Sequence, residues 1–294
     1  MNFLVDNLPY ILAGISVGGQ YALIAIGYTM VYGILRLINF AHGDMFMVAG
    51  LVMVYLATAM PLYIAIPIVL VFTVILGCTI EAVAYRPLRT APRMSIMISA
   101  IGVSYLLQNA ALYFTGGLTK MYPNIPWLAK TVTICGADTK MVTVITPFLT
   151  IALVIALVLL IKYTKIGMAM RAVSRDFETS QLMGIDINKV ISMTFVIGSF
   201  LAAVGSILYF TNYPGVMPTA GSMPGLKAFV AAVFGGIGSI PGAVIGAFII
   251  GICENIMKGA GLTTFSDAFT FVLLIVVLMV KPTGIFGEKN IDKV

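Results

Sequence analysis

Residues 226–257 read LKAFVAAVFGGIGSIPGAVIGAFIIGICENIM, and the way this run divides decides the fold. It is apolar enough for lipid, yet as one helix it would be about 48 Å long against a hydrocarbon core of about 30 Å. The cluster GGIGSIPG at 235–242 places helix breakers in its middle. Two shorter helices joined by a buried turn, entering and leaving on the same outer side, are therefore expected. Non-helical backbone at that depth survives only when it is packed in protein or lines a watery cavity. Gly235, Gly236, Gly238 and Gly242 are thus candidates for a pathway or gate.

The rest of the chain agrees with a membrane solvent. Its 294 residues are 60% hydrophobic and 10% charged, with mean hydropathy +1.06, against about 45–50% and about 25% for a soluble domain. A water-soluble globule is excluded. Apolar runs fall at 8–35, 45–60, 62–84, 94–115, 141–161, 190–211, 226–257 and 268–280. They are continuous rather than alternating, which indicates helices and not barrel strands. The fold class is all-α polytopic membrane protein, with eight or nine transmembrane or membrane-embedded helices including the broken pair. Residues 1–294 form a single membrane domain. No Lys or Arg precedes Arg36, so the first run lacks a signal peptide's basic flank and is read as a retained span.

Charge orients the bundle. Arg86, Arg89 and Arg93 crowd one loop, and Lys162, Lys165, Arg171, Arg175 and Lys189 another, so both are expected on the cytoplasmic side. Residues 116–140 then fall outside, the N-terminus outside and Arg36 inside. The tail, with Lys281, Lys289 and Lys293, belongs inside only if 226–257 crosses twice. The net charge of +6 is therefore read as orientation, with no nucleic acid as partner. Cys78, Cys135 and Cys253 have neither disulfide nor metal-ligand spacing, and no metal site is expected.

Several constellations bear on chemistry. GISVG at 14–18 fits a nucleophile elbow formally, but the elbow needs a strand-to-helix turn and this pentapeptide lies in a helical run. No phosphate-binding Gly-x-x-x-x-Gly-Lys-Ser/Thr segment is present, so no nucleotide cofactor is expected on this chain. Gly14 and Gly18, like Gly238, Gly242 and Gly246, recur every fourth residue, a spacing that lets helix backbones approach closely in lipid. Asn39, His42 and Asp44 crowd the short break between two runs. They either line a pathway at membrane depth or cap helices at the interface. In the loop 163–189, residues 172–184 read as one short amphipathic helix with Val173, Phe177 and Ser180 on one face, ended by Gly184. The loop is either a surface connector or, given its length, a functional element.

GQYALIAIG at 19–27, INFAHGD at 38–44, GMAMRA at 167–172 with Gly184-Ile185, FGGIGSIPG at 234–242 and KPTGIFG at 281–287 recur in this order and spacing in one family. The chain resembles, over essentially its full length, the LivH-type permease subunit of bacterial branched-chain amino-acid ABC importers.

The resemblance implies a multi-pass permease of the bacterial inner membrane. Its partners would be a second similar permease, two ATP-binding subunits on the cytoplasmic side, an external substrate-binding protein and membrane lipid. ATP would be bound and hydrolysed on the partners, leaving this chain without catalytic residues or cofactor. Arg171, Ala172, Arg175, Phe177, Glu178, Gly184 and Ile185 would couple it to the ATPase. The cargo expected is branched-chain, hydrophobic amino acids, with urea or a short amide as the alternative in the same class. A secondary transporter using His42, Asp44, Glu81 or Glu254 as ion sites is the rival from another class.

Overall fold

The computed structural model describes residues 2–89, 91–134, 137–281 and 283–287. Cys135, Lys289 and Lys293 lie outside the described residues. The helices in chain order are α1 (Asn2–Leu35), α2 (His42–Ala59), α3 (Leu62–Ile80), α4 (Arg93–Thr115), α5 (Pro126–Ala129), α6 (Met141–Tyr163), α7 (Lys165–Arg175), α8 (Phe177–Leu182), α9 (Ile187–Asn212), α10 (Ser222–Gly235), α11 (Ile240–Gly259) and α12 (Ser266–Val280). Among the described residues, eight helical stretches are long and apolar enough to cross a membrane, and α10 is a shorter, ninth apolar helix. The expected fold class is the one found. β1 (Lys120–Met121) pairs antiparallel with β4 (Gly215–Val216), and β2 (Thr131–Ile134) with β3 (Ala137–Lys140), in two small ribbons at the end of the bundle away from the basic loops.

The core is a crossing of α1 with α11, built as the glycine spacing requires. A Cβ on Gly14 would stand 2.8 Å from the Ile252 Cα, and one on Gly18 2.8 Å from the Phe248 Cα, while Gly251 faces the Gly18 backbone in return. In lipid no hydrophobic force pulls helices together, so this close approach and its dispersion contacts do that work. The remaining face of α1 packs on α9 and α6, with Leu23, Ile24, Ala202 and Phe210 fully or nearly fully buried. α4 and α6 are largely exposed along their apolar sides, as lipid-facing helices should be.

The long apolar run divides as expected into α10 and α11, which pack on each other. Its turn differs from the expectation in depth. Residues 237–239 are partly exposed and line one cavity with Arg36 and Arg175, at the basic end of the bundle, rather than being buried among the helices. The reason is that α10 starts beside Gln108 of α4 and its fourteen residues run toward that end. Gly238 also departs from the packing expectation: its backbone is left-handed at φ 99° and nothing lies within 4 Å of a Cβ built there. Only Gly242 and Gly246 press against α10, facing the Gly235 and Ala231 carbonyls.

Candidate functional site

The break between α1 and α2 carries the first group of candidate residues. Arg36 takes φ 56°, rare for a residue with a side chain, and the chain then runs back into the bundle as far as His42. Asn39, His42 and Asp44 are all buried. Asn39 Oδ1 accepts the Tyr85 hydroxyl proton at 2.8 Å. The His42 ring lies edge-on to Tyr28 at 5.1 Å and fills the space above Gly27, where a Cβ would collide with it. Asp44 accepts from Ser104 Oγ at 2.5 Å and from Gln108 Nε2 at 3.1 Å, and Gln108 also reaches Ser222 at 3.4 Å. The segment is held inside the bundle because Tyr85, in the turn that follows α3, and Ser104 and Gln108 of α4 satisfy its polar groups there, which lipid could not do. Asparagine Nδ2 and histidine Nε2 are left without hydrogen-bond partners among the described residues.

The second group lies on the basic side. Thr164 caps α7 by accepting the Gly167 N–H at 3.1 Å. The single helix expected over 172–184 is in fact two. Asp176, with extended backbone at φ −152°, ends α7 and caps α8 by accepting the Thr179 N–H at 3.0 Å. An Asp three residues before Thr179 restarts the helix because its carboxylate satisfies an otherwise orphan N–H. Val173 and Ser180 face inward as expected, but the restart turns Phe177 outward to 41% exposure. Gly184, at φ 82°, stops α8 in the left-handed conformation expected of it. Asp186 caps α9 by accepting the Asn188 N–H at 3.1 Å. The Thr179 hydroxyl and N–H hold Asp176 below the usual carboxylate range, and Lys189 does the same for Asp186. Both caps therefore stabilise the loop above about pH 4 and lose that contribution as pH falls through the depressed values.

Leu182 and Met183 stand 88% and 79% exposed at the tip of this loop, beside Phe177 and Glu178. Arg171, Ala172 and Arg175 look the other way, into a cavity of about 1070 Å³ that also touches Gly238, Ser239 and Phe286. Ile185 is partly buried against the core. The candidate residues of the loop thus divide between an outward apolar tip and an inward basic wall. At that wall the α10–α11 turn is tied down by the chain after α12: the Ile285 and Phe286 N–H groups donate to the Phe234 and Gly235 carbonyls at 3.0 and 2.9 Å. Gly235 and Gly236 are buried in this junction, and a side chain on Gly236 would meet the Gly287 backbone.

Sequence reasoning missed an ion network near the other end. Glu254 accepts from Lys227 Nζ at 2.8 Å, Lys258 Nζ at 2.6 Å and the Tyr21 hydroxyl at 3.0 Å, and Lys227 also pairs with Asp267 at 2.6 Å. It joins α1, α10, α11 and α12. The i, i+4 spacing of Glu254 and Lys258 was a signal; Lys227 and Asp267 could be joined to it only by the fold. Glu81 is likewise paired, with Arg89, and accepts from Ser192 at 2.9 Å. The formal elbow is an ordinary piece of α1, with Ser16 fully buried and no strand before it, so it does not present a nucleophile.

These features define a polytopic helical membrane protein with a broken helix pair and a structured basic loop. Residues 10–278 match the family described as branched-chain amino acid transport system / permease component. The chain belongs to that family. It is 40% identical to the high-affinity branched-chain amino acid transport system permease protein LivH of Escherichia coli (strain K12), over 96% of each chain. It is 38% identical to the BraD permease protein of the corresponding Pseudomonas aeruginosa system, over 98% of each. The ribose import permease protein RbsC of Haemophilus influenzae is 25% identical over 98% of this chain and 88% of its own.

Proposed function

We propose that this chain is the pore-forming permease subunit of an ATP-driven importer of branched-chain amino acids in the bacterial inner membrane. The observation that carries the reading is end-to-end identity to LivH and BraD, at 38–40%, whose branched-chain amino acid cargo favours amino acids over urea or amides. On this reading the chain works beside a second similar permease, receives cargo from an external binding protein and needs no cofactor of its own. ATP is bound by two partner subunits. Their docking point is the loop 163–189, with Phe177, Glu178, Leu182 and Met183 making the contact and Gly184 and Ile185 fixing its shape. Arg171, Ala172 and Arg175 carry the movement to the α10–α11 turn, against which they form one cavity.

Asn39, His42 and Asp44, with Gly235, Gly236, Gly238 and Gly242, then belong to the moving parts that open and close the passage. The pairing of Glu81 with Arg89 and of Glu254 with two lysines weighs against a stand-alone ion-coupled transporter, since such sites need a carboxylate free to exchange its ion. The test of assembly is co-expression of the tagged chain with the ATP-binding subunits and permease encoded beside it. All are expected to co-purify in detergent. Recovery of the tagged, folded chain alone would count against the reading.

A further inference from the structure

Among the described residues three carboxylates are buried, those of Asp44, Glu81 and Glu254. Glu81 is paired with Arg89, and Glu254 with Lys227 and Lys258. Asp44, 2% exposed, pairs with no cation among the described residues. Its Oδ2 accepts the Ser104 hydroxyl proton at 2.5 Å and its Oδ1 the Gln108 amide N–H at 3.1 Å. These neutral donors hold the carboxylate in place without neutralising it. Its depth makes the missing cation informative. His42, two residues before it, fills the space over Gly27, eight residues before the end of α1. That is about 12 Å in from the basic end. A carboxylate at such depth is costly without a cation, and residues of this kind mark the paths of ions and substrates.

A second observation says where the cation comes from. Gln108 bridges Asp44 to Ser104 and Ser222, with long bonds of 3.4 Å to the two serines. Ser104 and Gln108 are partly exposed and Ser222 is exposed, so the groups that cover the carboxylate on this side reach the surface. Two hydroxyls and an amide make a poor face for lipid. Met223 and Leu226, both 41% exposed, follow on α10. We propose that Asp44 receives the ammonium group of the cargo on its way through the bundle, with Gln108 swinging aside and Met223 and Leu226 beside the aliphatic side chain. An ammonium brings opposite charge where Gln108 brings a dipole, so it displaces the amide from the carboxylate. A lysine or arginine of a neighbouring chain would answer the charge alone, whereas a polar mouth with apolar flanks fits an ammonium carried on an aliphatic group. The inference rests on the permease reading and adds to it a specificity-determining residue, because urea and neutral amides have no charge to offer Asp44.

The test is leucine uptake by proteoliposomes holding the assembled transporter, with binding read separately by saturation-transfer NMR on the same complex without its binding protein. D44N, which keeps the shape and loses the charge, should lower uptake at least about tenfold. D44E, which keeps the charge, should lie between D44N and the parent. In the NMR measurement leucinamide, which retains the ammonium, should give a saturable signal that D44N loses, and 4-methylpentanoate, which lacks the ammonium, should give none. Should D44N not fold, Q108K, changed at a partly exposed position, supplies a resident ammonium beside the carboxylate and should block uptake to the same extent. Parental uptake by D44N or Q108K, or equal signals from leucinamide and 4-methylpentanoate, overturns the inference and leaves the permease reading standing. Loss of the second permease from the D44N complex also overturns it, by giving the missing cation to that partner. Absence of leucine uptake by the unaltered complex overturns the permease reading, and the inference with it.

Discussion

Replacing Glu254 with Leu should nearly abolish the yield of folded chain. Glu254 is 2% exposed and Lys227 5%, and the carboxylate takes three donors from α1, α10 and α11. Without it Lys227 keeps only Asp267, which is half-exposed, and the Tyr21 hydroxyl keeps no partner. Removing one member of a buried ion pair costs about 3–5 kcal/mol because the other charge stays buried, a large part of a native state's total of about 5–15 kcal/mol. Lys227→Met should be less damaging, since Glu254 retains Lys258 and Tyr21. The double variant Lys227→Met/Glu254→Leu should recover much of the loss, because no stranded charge remains. The measurement is thermal aggregation in detergent followed by size-exclusion chromatography. A Glu254→Leu chain as stable as the parent would show that the network contributes nothing.

The same network marks a boundary of what the residues alone reveal. The spans were legible because hydropathy is summed over long windows, and the division of 226–257 because glycine and proline punctuate a helix whatever surrounds them. The α1–α11 crossing could be anticipated on its α1 side from Gly14 and Gly18. Depth was not legible. Whether Asn39, His42 and Asp44 sit at an interface or inside depends on Tyr85, Ser104 and Gln108, which stand 46 to 64 residues away in the chain. Gly238 shares its spacing with Gly242 and Gly246, yet it serves the turn, because α11 begins only at Ile240 and Gly238 precedes it with left-handed backbone. The restart at Asp176 was written in the residues as a capping signature, but the apolar spacing of Val173 and Phe177 argued for continuity and was the weaker guide.

Phe177→Asp and Leu182→Asp should each abolish cargo-stimulated ATP hydrolysis by the assembled transporter while leaving insertion and folding of this chain intact. Both side chains stand at the tip of the loop, 41% and 88% exposed, so in the isolated chain a carboxylate there meets water and changes little. Once the tip is covered by a partner, an unpaired carboxylate costs on the order of several kcal/mol. That is enough to reduce docking by at least about a hundredfold. Because α8 is set by the Asp176 cap and the Gly184 stop, its backbone should not change. Phosphate release from ATP, with and without cargo-loaded binding protein, reads the result. Undiminished stimulation in both variants would make the loop a connector and remove it from the coupling path.

On the proposed function, this chain passes branched-chain amino acids through a membrane, driven by ATP hydrolysed on partner subunits. Uptake of radiolabelled leucine by proteoliposomes holding the purified complex tests it most directly, with binding protein on one side and ATP on the other. Accumulation should require ATP, the binding protein and this chain together, and excess unlabelled isoleucine or valine should suppress it. Uptake that persists without ATP and follows an imposed ion gradient, or a complex that moves urea but not leucine, would contradict the account.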